Sequence, residues 1–428
     1  MKFLFASLIL FSCSRLAAQD IDAIINPSAV ENIEKVLSSD AMRGRATFSP
    51  DIDRAADFIA GQFRAAGLQT FNNSGDYHQP FSMIKARLIA AAGTLDGVEL
   101  AASNIVVVSS STHVSLNENS GYEKAFIKAG DNLGAAAMKY ISQDKKNYLV
   151  LVDTSFSKNF RRLASFAGQS FKSPRNVIFV LTLLDPSRYS FTAEQEINEQ
   201  RLANVVGILP GKSRKDEFVI FSGHYDHLGV GKPDSKNDSI FNGANDDASG
   251  STAVMMLAKY FGKMKNNERT LVFVTFTAEE IGGFGSKYFS QQFDPAKVMA
   301  MFNIEMIGTE SKWGVNSAFI TGYEKTDMGH ILEKNLSGSG FSFHPDPYPD
   351  QQLFYRSDNA TLARQGVPAH TISTSKMDSE KFYHTQGDEI GTLDMNNMAR
   401  IIKSIALSSK SIIAGTDTPS RVDATQLR

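Results

Sequence analysis

The stretch from Phe218 to Gly250 constrains this chain most. It reads FVIFSGHYDHLG, then a polar loop, then FNGANDDASG. A strand-like apolar run stops at Gly223, and His224 and Asp226 follow, two residues apart. Residues at that spacing point to one face of an extended chain. After a loop rich in Gly, Asn and Asp comes Asp246-Asp247, at a helix start. An imidazole and several carboxylates gathered where strands end is how an α/β fold builds a metal site. Neither motif decides the matter alone. An isolated HxD is more often a loop histidine beside a solvated acid, and paired Asp residues also serve as a helix cap favoured by the dipole.

Three further motifs downstream offer the missing ligands. Glu279-Glu280-Ile281-Gly282-Gly283 follows the apolar run 271–277. Adjacent carboxylates after a buried strand repel each other unless cations lie nearby, although two solvated loop acids fit the same pattern. In Phe302-Asn303-Ile304-Glu305-Met306 an acid interrupts a strand-like run. A buried acid there needs a partner, whereas an edge strand would turn it to solvent. Phe382-Tyr383-His384-Thr385, with Asp388 just beyond, supplies another imidazole beside a phenol able to donate to an oxyanion.

The surrounding pattern is regular α/β from Asn204 onward. Strands are expected at 204–208, 218–222, 270–276, 300–304, 318–321 and 369–372, and helices at 249–261, 285–291, 325–335, 357–365 and 395–408. Pro210-Gly211 makes a tight turn between two strands, so the sheet should be mixed. The expected fold is a three-layer α/β/α sandwich around a mixed, mainly parallel sheet. Upstream, residues 20–36 begin polar and then read as helix, with Pro27-Ser28 near its start, and a second helix is expected over 51–66, with Ala55, Ile59, Phe63 and Ala66 at helical spacing and Gly67 as its stop.

Between them the texture shifts to short β-rich runs and an Ala-rich helix near 134–140. This reads as an inserted smaller β-rich α/β domain over 96–197; an irregular extension of the main domain is the other reading. It would separate an N-terminal part, 24–95, from the main part, 198–414. The polar tail, 415–428, reads as loose.

Met1-Lys2, an apolar run from Phe3 to Phe11 and Ala17-Ala18 have the form of a secretory signal over 1–18; a buried first helix is the other reading. The chain is therefore expected to be exported, to the periplasm or the exterior. Cys13 is the only cysteine, so a mature chain cut near Ala18 holds no disulfide. Lipidation of Cys13 is the alternative, disfavoured by the bulky Phe11 upstream. A formal net charge of −2 gives no field for nucleic acid, and no later apolar run is long enough for an integral membrane span.

The order HxD, DDASG, EE-x-G-G, N-x-E-M, YHT resembles the co-catalytic di-zinc aminopeptidase family, whose members also include glutamate carboxypeptidase-like and transferrin-receptor-like proteins. The resemblance covers about residues 200–410 and extends to Met42-Arg43-Gly44-Arg45 and the segment from Tyr77 to Phe81. It implies two zinc ions, with cobalt or manganese also suited to such donors. By resemblance, Asp246 bridges both ions, His224 and Glu305 complete one, and Glu280 and His384 the other. It makes Glu279 the general base, Asp226 the acid that orients His224, and Tyr383 a donor to the tetrahedral intermediate. Asp247 would follow the bridging acid across a cis peptide, and Asp358 would support the site from behind.

The implied reaction is removal of N-terminal residues from peptides with a free N-terminus, by a hydroxide shared between the ions. Two divalent ions balance Asp246, Glu280, Glu305 and that hydroxide, as a buried site requires. One departure stands out: Glu305 occupies a position where the family usually has Asp. Within the same family, a carboxypeptidase for acidic C-terminal residues would need basic groups such as Arg356 or Arg364. A glutaminyl cyclase would need one zinc, and a receptor-like binding module none. The insert occupies the position of the protease-associated domain in relatives.

Overall fold

The computed structural model describes residues 21–142 and 146–427. The leader expected at 1–18, with Cys13, lies outside them. Contacts divide the described chain into two compact units, residues 81–202 and the remainder.

The chain enters through two capped helices. Helix α1 (Pro27–Leu37) starts at Asn26, whose side chain accepts the Ala29 N–H at 3.0 Å. Helix α2 (Pro50–Ala65) starts at Ser49, with Pro50 at its first position and Asp51 and Asp53 in its first turn. Both starts suit the free N–H groups and positive end of a helix. Strand β1 (His78–Leu95) follows.

Within 81–202, strands β2 (Ile105–Ser109), β3 (Glu123–Ile127), helix α3 (Leu133–Ser142), β4 (Tyr148–Val152) and β5 (Asn176–Leu181) form a small sheet of order β2-β5-β4-β3 with one helix. The β3–β4 and β4–β5 pairs are parallel, and β2–β5 is antiparallel. Alternate residues of β4 enter different cores: Leu149 and Leu151 one, Tyr148, Val150 and Val152 the other, with Ala137 of α3. Strand β6 (Tyr189–Leu209) leads out. The unit is wider than the insert drawn from composition at 96–197, because β1 and β6 are long continuous strands. Exposed polar residues, Thr192, Glu194, Glu196 and Asn198, alternate along β6, which hides its length from a search for apolar runs.

The larger unit continues with β7 (Arg214–His224), α4 (Ser249–Met264), β8 (Arg269–Phe276), α5 (Phe284–Ser290), β9 (Val298–Ile304), β10 (Ser317–Ile320), α6 (Met328–Leu336), β11 (Ser342–Pro345), α7 (Asn359–Ala363), β12 (Ala369–Ser373) and α8 (Met395–Ser408). The strand order is β11-β10-β12-β9-β7-β8-β6. Pairs β12–β9, β9–β7, β7–β8 and β10–β11 are parallel; β8–β6 and β10–β12 are antiparallel. The mixed sheet is as expected from Pro210-Gly211.

Side chains alternate between two cores. Val219 and Phe221 of β7 face α1, α2, α4, α6 and α8, with Leu271, Phe273, Ala300 and Phe302 beside them. Ile220 faces the other way with Val272, Val274 and Met301, against Phe289 of α5 and Leu362 of α7. Both faces are covered, which is why these strands read as unbroken apolar runs. Phe221 stacks between Phe273 and Phe302, with centroids 5.6 and 5.0 Å away.

The tail is ordered along this body, contrary to the expectation of a loose end. Buried Arg269 donates to the Asp417 carbonyl and to Thr418 Oγ1, at 2.8 and 2.6 Å. Arg421 donates to the Val298 and Pro295 carbonyls, and Val422 is buried. Among the described residues no helix is long and apolar enough to cross a membrane.

Candidate metal centre

The candidate ligands meet at the C-terminal ends of parallel strands. His224 is the last residue of β7, Glu279 and Glu280 follow β8, and Glu305 follows β9. Asp246 lies in the turn before α4, and His384 comes from the loop after β12. Three left-handed residues shape these exits: Ala278, Met306 and His384, with φ of 59°, 53° and 56°. Left-handed backbone is unfavourable for residues with a Cβ, so surrounding packing must hold them there.

Polar groups of the NDDASG turn lock neighbouring loops in place. Asn245 Oδ1 accepts the Gly308 N–H at 2.9 Å, and Ser249 Oγ accepts that of Ile307 at 3.1 Å. Asp247 is fully buried. Its Oδ1 accepts the N–H groups of Gly250 and Met306, and its Oδ2 that of His224. Asp247 thus caps α4 and ties β7 to β9, and the Asp246–Asp247 bond is cis. Gly250 is required by close approach: a Cβ there would lie 2.1 Å from the Ile304 carbonyl oxygen.

Asp226 has a different role from the one expected. His224 Nδ1 lies 3.1 Å from the Asp226 backbone carbonyl but 3.8 Å from the carboxylate, so the carbonyl orients the imidazole. The carboxylate instead accepts the N–H groups of Glu279 and Glu280, at 3.1 and 3.3 Å, and the Thr47 hydroxyl at 2.9 Å. A rigid link between the two strand ends results.

Asp246 is the hub. Its Oδ1 lies 3.2 Å from His224 Nε2, and its Oδ2 lies 3.2 Å from His384 Nε2. Glu280 Oε2 is also 3.2 Å from His384 Nε2. Ligand atoms of His224, Asp246 and Glu305 fall within 4.8 Å of one another, as do those of His227, Asp246 and Glu280. A tetrahedral ion with bonds of about 2.0 Å sets neighbouring ligand atoms about 3.3 Å apart. The three 3.2 Å separations match that edge. His224 Nε2 and Glu305 Oε2 are buried with no hydrogen-bond partner. Uncommitted N and O donors facing one buried point fit metal ions.

The electrostatics point the same way. Burial raises the pKa of Asp247 and of Glu279 well above the usual carboxylate range, helped by neighbouring acids. Burial likewise lifts Glu305 to about 7 and Asp358 to about 6. Against the upward push of burial, Asp246 stays below its ordinary value through contact with His224 and His384, and Glu280 through His227 and His384. Contacts with Asp246 and Glu280 push His384 up to about 10. Such a crowd of acids calls for added positive charge.

Tyr383 stacks on His384, with ring centroids 3.9 Å apart, and burial raises its pKa. It lines a cavity with Glu305, Met306, Phe319, Leu353, Arg356 and Met377. Asp358 is buried at the start of α7, within electrostatic reach of His224 and Lys287.

Three residues at the centre carried no assigned role in the sequence. His227 is buried against Glu280, with Nδ1 2.8 Å from Oε1. Its signal was adjacency, one residue past HYD. Asp388 accepts the N–H groups of Asn245 and Asp246, at 2.8 and 3.0 Å. Arg45, fully buried, donates to the carbonyls of Leu37, Tyr225, Asn242 and Gly243, between 2.6 and 2.9 Å. Its signal was a charged residue in the RGR lead-in.

The model of peptidase family M28 matches residues 204–408. A probable zinc metalloprotease of Pyrenophora teres f. teres is 33% identical over 123 residues, 28% of this chain and 26% of that protein. Leucine aminopeptidase 1 of Ajellomyces capsulatus is 28% identical over 221 residues, 47% of this chain and 53% of that one. The matches thus span between a quarter and about half of these relatives. Among solved structures, an aminopeptidase from Aneurinibacillus sp. strain AM-1 aligns at a TM-score of 0.55 and 18% identity, over 92% of this chain and 95% of that one. The zinc aminopeptidase BSAP of Bacillus subtilis aligns at 0.54 and 15%, over 93% and 98%. At such identities the shared property is the fold.

Proposed function

We propose, from the match of residues 204–408 to the model of peptidase family M28, that this chain is an exported zinc aminopeptidase that removes N-terminal residues from peptides with two zinc ions. The observation that carries the reading is Asp246, whose two oxygens each lie 3.2 Å from a different imidazole, His224 and His384. Asp246 would hold both ions, His224 and Glu305 one, and Glu280 and His384 the other. When bound, such ions supply Lewis acidity to a scissile carbonyl and bring the pKa of water down to about 7.

The chain's own groups supply the rest. Glu279 takes the proton of the attacking water and returns it to the leaving amine. Asp226 fixes its position by accepting the Glu279 N–H. Tyr383, kept protonated by burial, donates to the developing oxyanion. Met306, Phe319, Leu353 and Met377 offer an apolar lining for the side chain next to the cleaved bond. The leader-like first 18 residues support export.

A panel of aminoacyl amides and C-terminally acidic peptides, offered to zinc-loaded protein, tests this reading. Release of the free amino acid and of the leaving amine from the amides is the expected result. Cleavage of only the acidic C-termini, or of nothing, contradicts it.

A further inference from the structure

His227 stands against the centre without belonging to the expected ligand set. Its ring is fully buried and edge-on to His384, with centroids 5.7 Å apart. Its backbone N–H donates to the Arg45 carbonyl at 3.2 Å. Gly243 lies against the ring so closely that a Cβ there would sit 2.5 Å from Cγ and Cδ2. The imidazole is therefore held from behind and aimed at Glu280.

Distances decide what it does there. Atoms sharing a tetrahedral ion of the zinc type lie about 3.3 Å apart. His384 Nε2 meets that separation from both Glu280 Oε2 and Asp246 Oδ2, each 3.2 Å away. His227 Nδ1 does not: it is 2.8 Å from Glu280 Oε1, a hydrogen-bond length, and 3.9 Å from Asp246 Oδ2. A proton on Nδ1 leaves Nε2 as a bare acceptor, and Nε2 has no partner.

We infer that His227 is a positioning residue for the second metal: its Nδ1–H holds Glu280 Oε1, which turns Oε2 toward the ion shared with His384 and Asp246. This rests on the two-metal reading. The two carboxylate oxygens of Glu280 are divided, one for the protein and one for the ion. Groups behind a metal ligand typically contribute about ten- to hundredfold in affinity.

The test is calorimetric titration of the metal-free full-length chain with zinc, comparing wild type, His227→Ala, His227→Asn and Glu280→Ala. Asn keeps an N–H donor at nearly the position of Nδ1 but is a poor zinc ligand. Wild type is expected to bind two ions. His227→Ala should weaken one binding step about ten- to hundredfold, the same step that Glu280→Ala removes, and leave the other unchanged. His227→Asn should recover most of the loss. Two ions bound with unaltered affinity by His227→Ala overturn the inference alone, as does equal weakening of both steps. Loss in His227→Asn as large as in His227→Ala makes His227 a ligand and overturns the positioning role. A wild type that binds one ion overturns the two-metal reading and the inference with it.

Discussion

Both carboxylate oxygens of Asp388 are spent on the turn that carries Asp246: Oδ2 accepts the Asp246 N–H at 3.0 Å, and Oδ1 accepts that of Asn245 at 2.8 Å. Asp388 lies four residues after His384. The loop that brings His384 to Asp246 therefore also fixes the backbone of Asp246, and the two halves of the centre are set by one segment.

Asp388→Ala leaves two buried N–H groups unpaired. Losing a charged acceptor from both should destabilise the fold by about 3 kcal/mol. It should also lower zinc content, because Asp246 is no longer held. Denaturant melts and metal analysis of the same sample check this. Unchanged metal content would show that the turn holds itself.

Glu279→Gln should keep both zinc ions and lose turnover by about 10²–10⁴-fold, with KM little altered. The amide is nearly isosteric and its backbone N–H still reaches Asp226. Steady-state kinetics beside metal analysis measures it. Near-normal kcat would move the base elsewhere.

Glu34 gives a pH dependence separate from the metal ligands. It is fully buried on α1, where burial pushes its pKa up to about 8 despite the Thr252 hydrogen bond and the charge of Arg45. The folded state binds this proton more tightly than the unfolded state, whose value is near 4.5. The contribution to stability is thus complete below pH 4.5 and is lost as pH rises through about 8. Glu34→Gln should match wild type near pH 5 and exceed it at about pH 9 by on the order of a few kcal/mol. Melts at the two pH values decide; an equal difference at both would contradict the assignment.

Gly250→Ala should be among the most damaging single-methyl additions in the chain. The new Cβ would meet a backbone oxygen, Ile304 O at 2.1 Å, so α4 and β9 must separate. Overpacking of this kind destabilises by about 1–3 kcal/mol or more. Thermal melting with zinc present and absent would show it, with the larger loss in the presence of zinc.

The legible parts of the sequence were those written in local pattern. Strands β8 and β9 and the inner part of β7 are apolar on both faces, so these stretches and the candidate ligands at or just after their ends could be read from runs and motif order, whereas the exposed, charged start of β7, Arg214 to Asp216, could not. Strand β6 could not, because its polar alternation resembles a loop. His227 escaped because its meaning depends on Glu280, which folding brings beside it from another strand end. Asp388 and Arg45 stand in or beside noted motifs, but they act on backbone groups, and those partners carry no signal that would have given the two residues a role. The docking of the tail rests on Arg269, an arginine buried at the start of a strand, and nothing near residue 415 announces it.

Metal counting on wild type and Asp246→Asn tests the central claim most directly. The account predicts two zinc ions per wild-type chain and loss of both, with activity, in Asp246→Asn, since each oxygen of Asp246 faces a different histidine at 3.2 Å. Wild type with fewer than two ions, or Asp246→Asn that retains two, would contradict it.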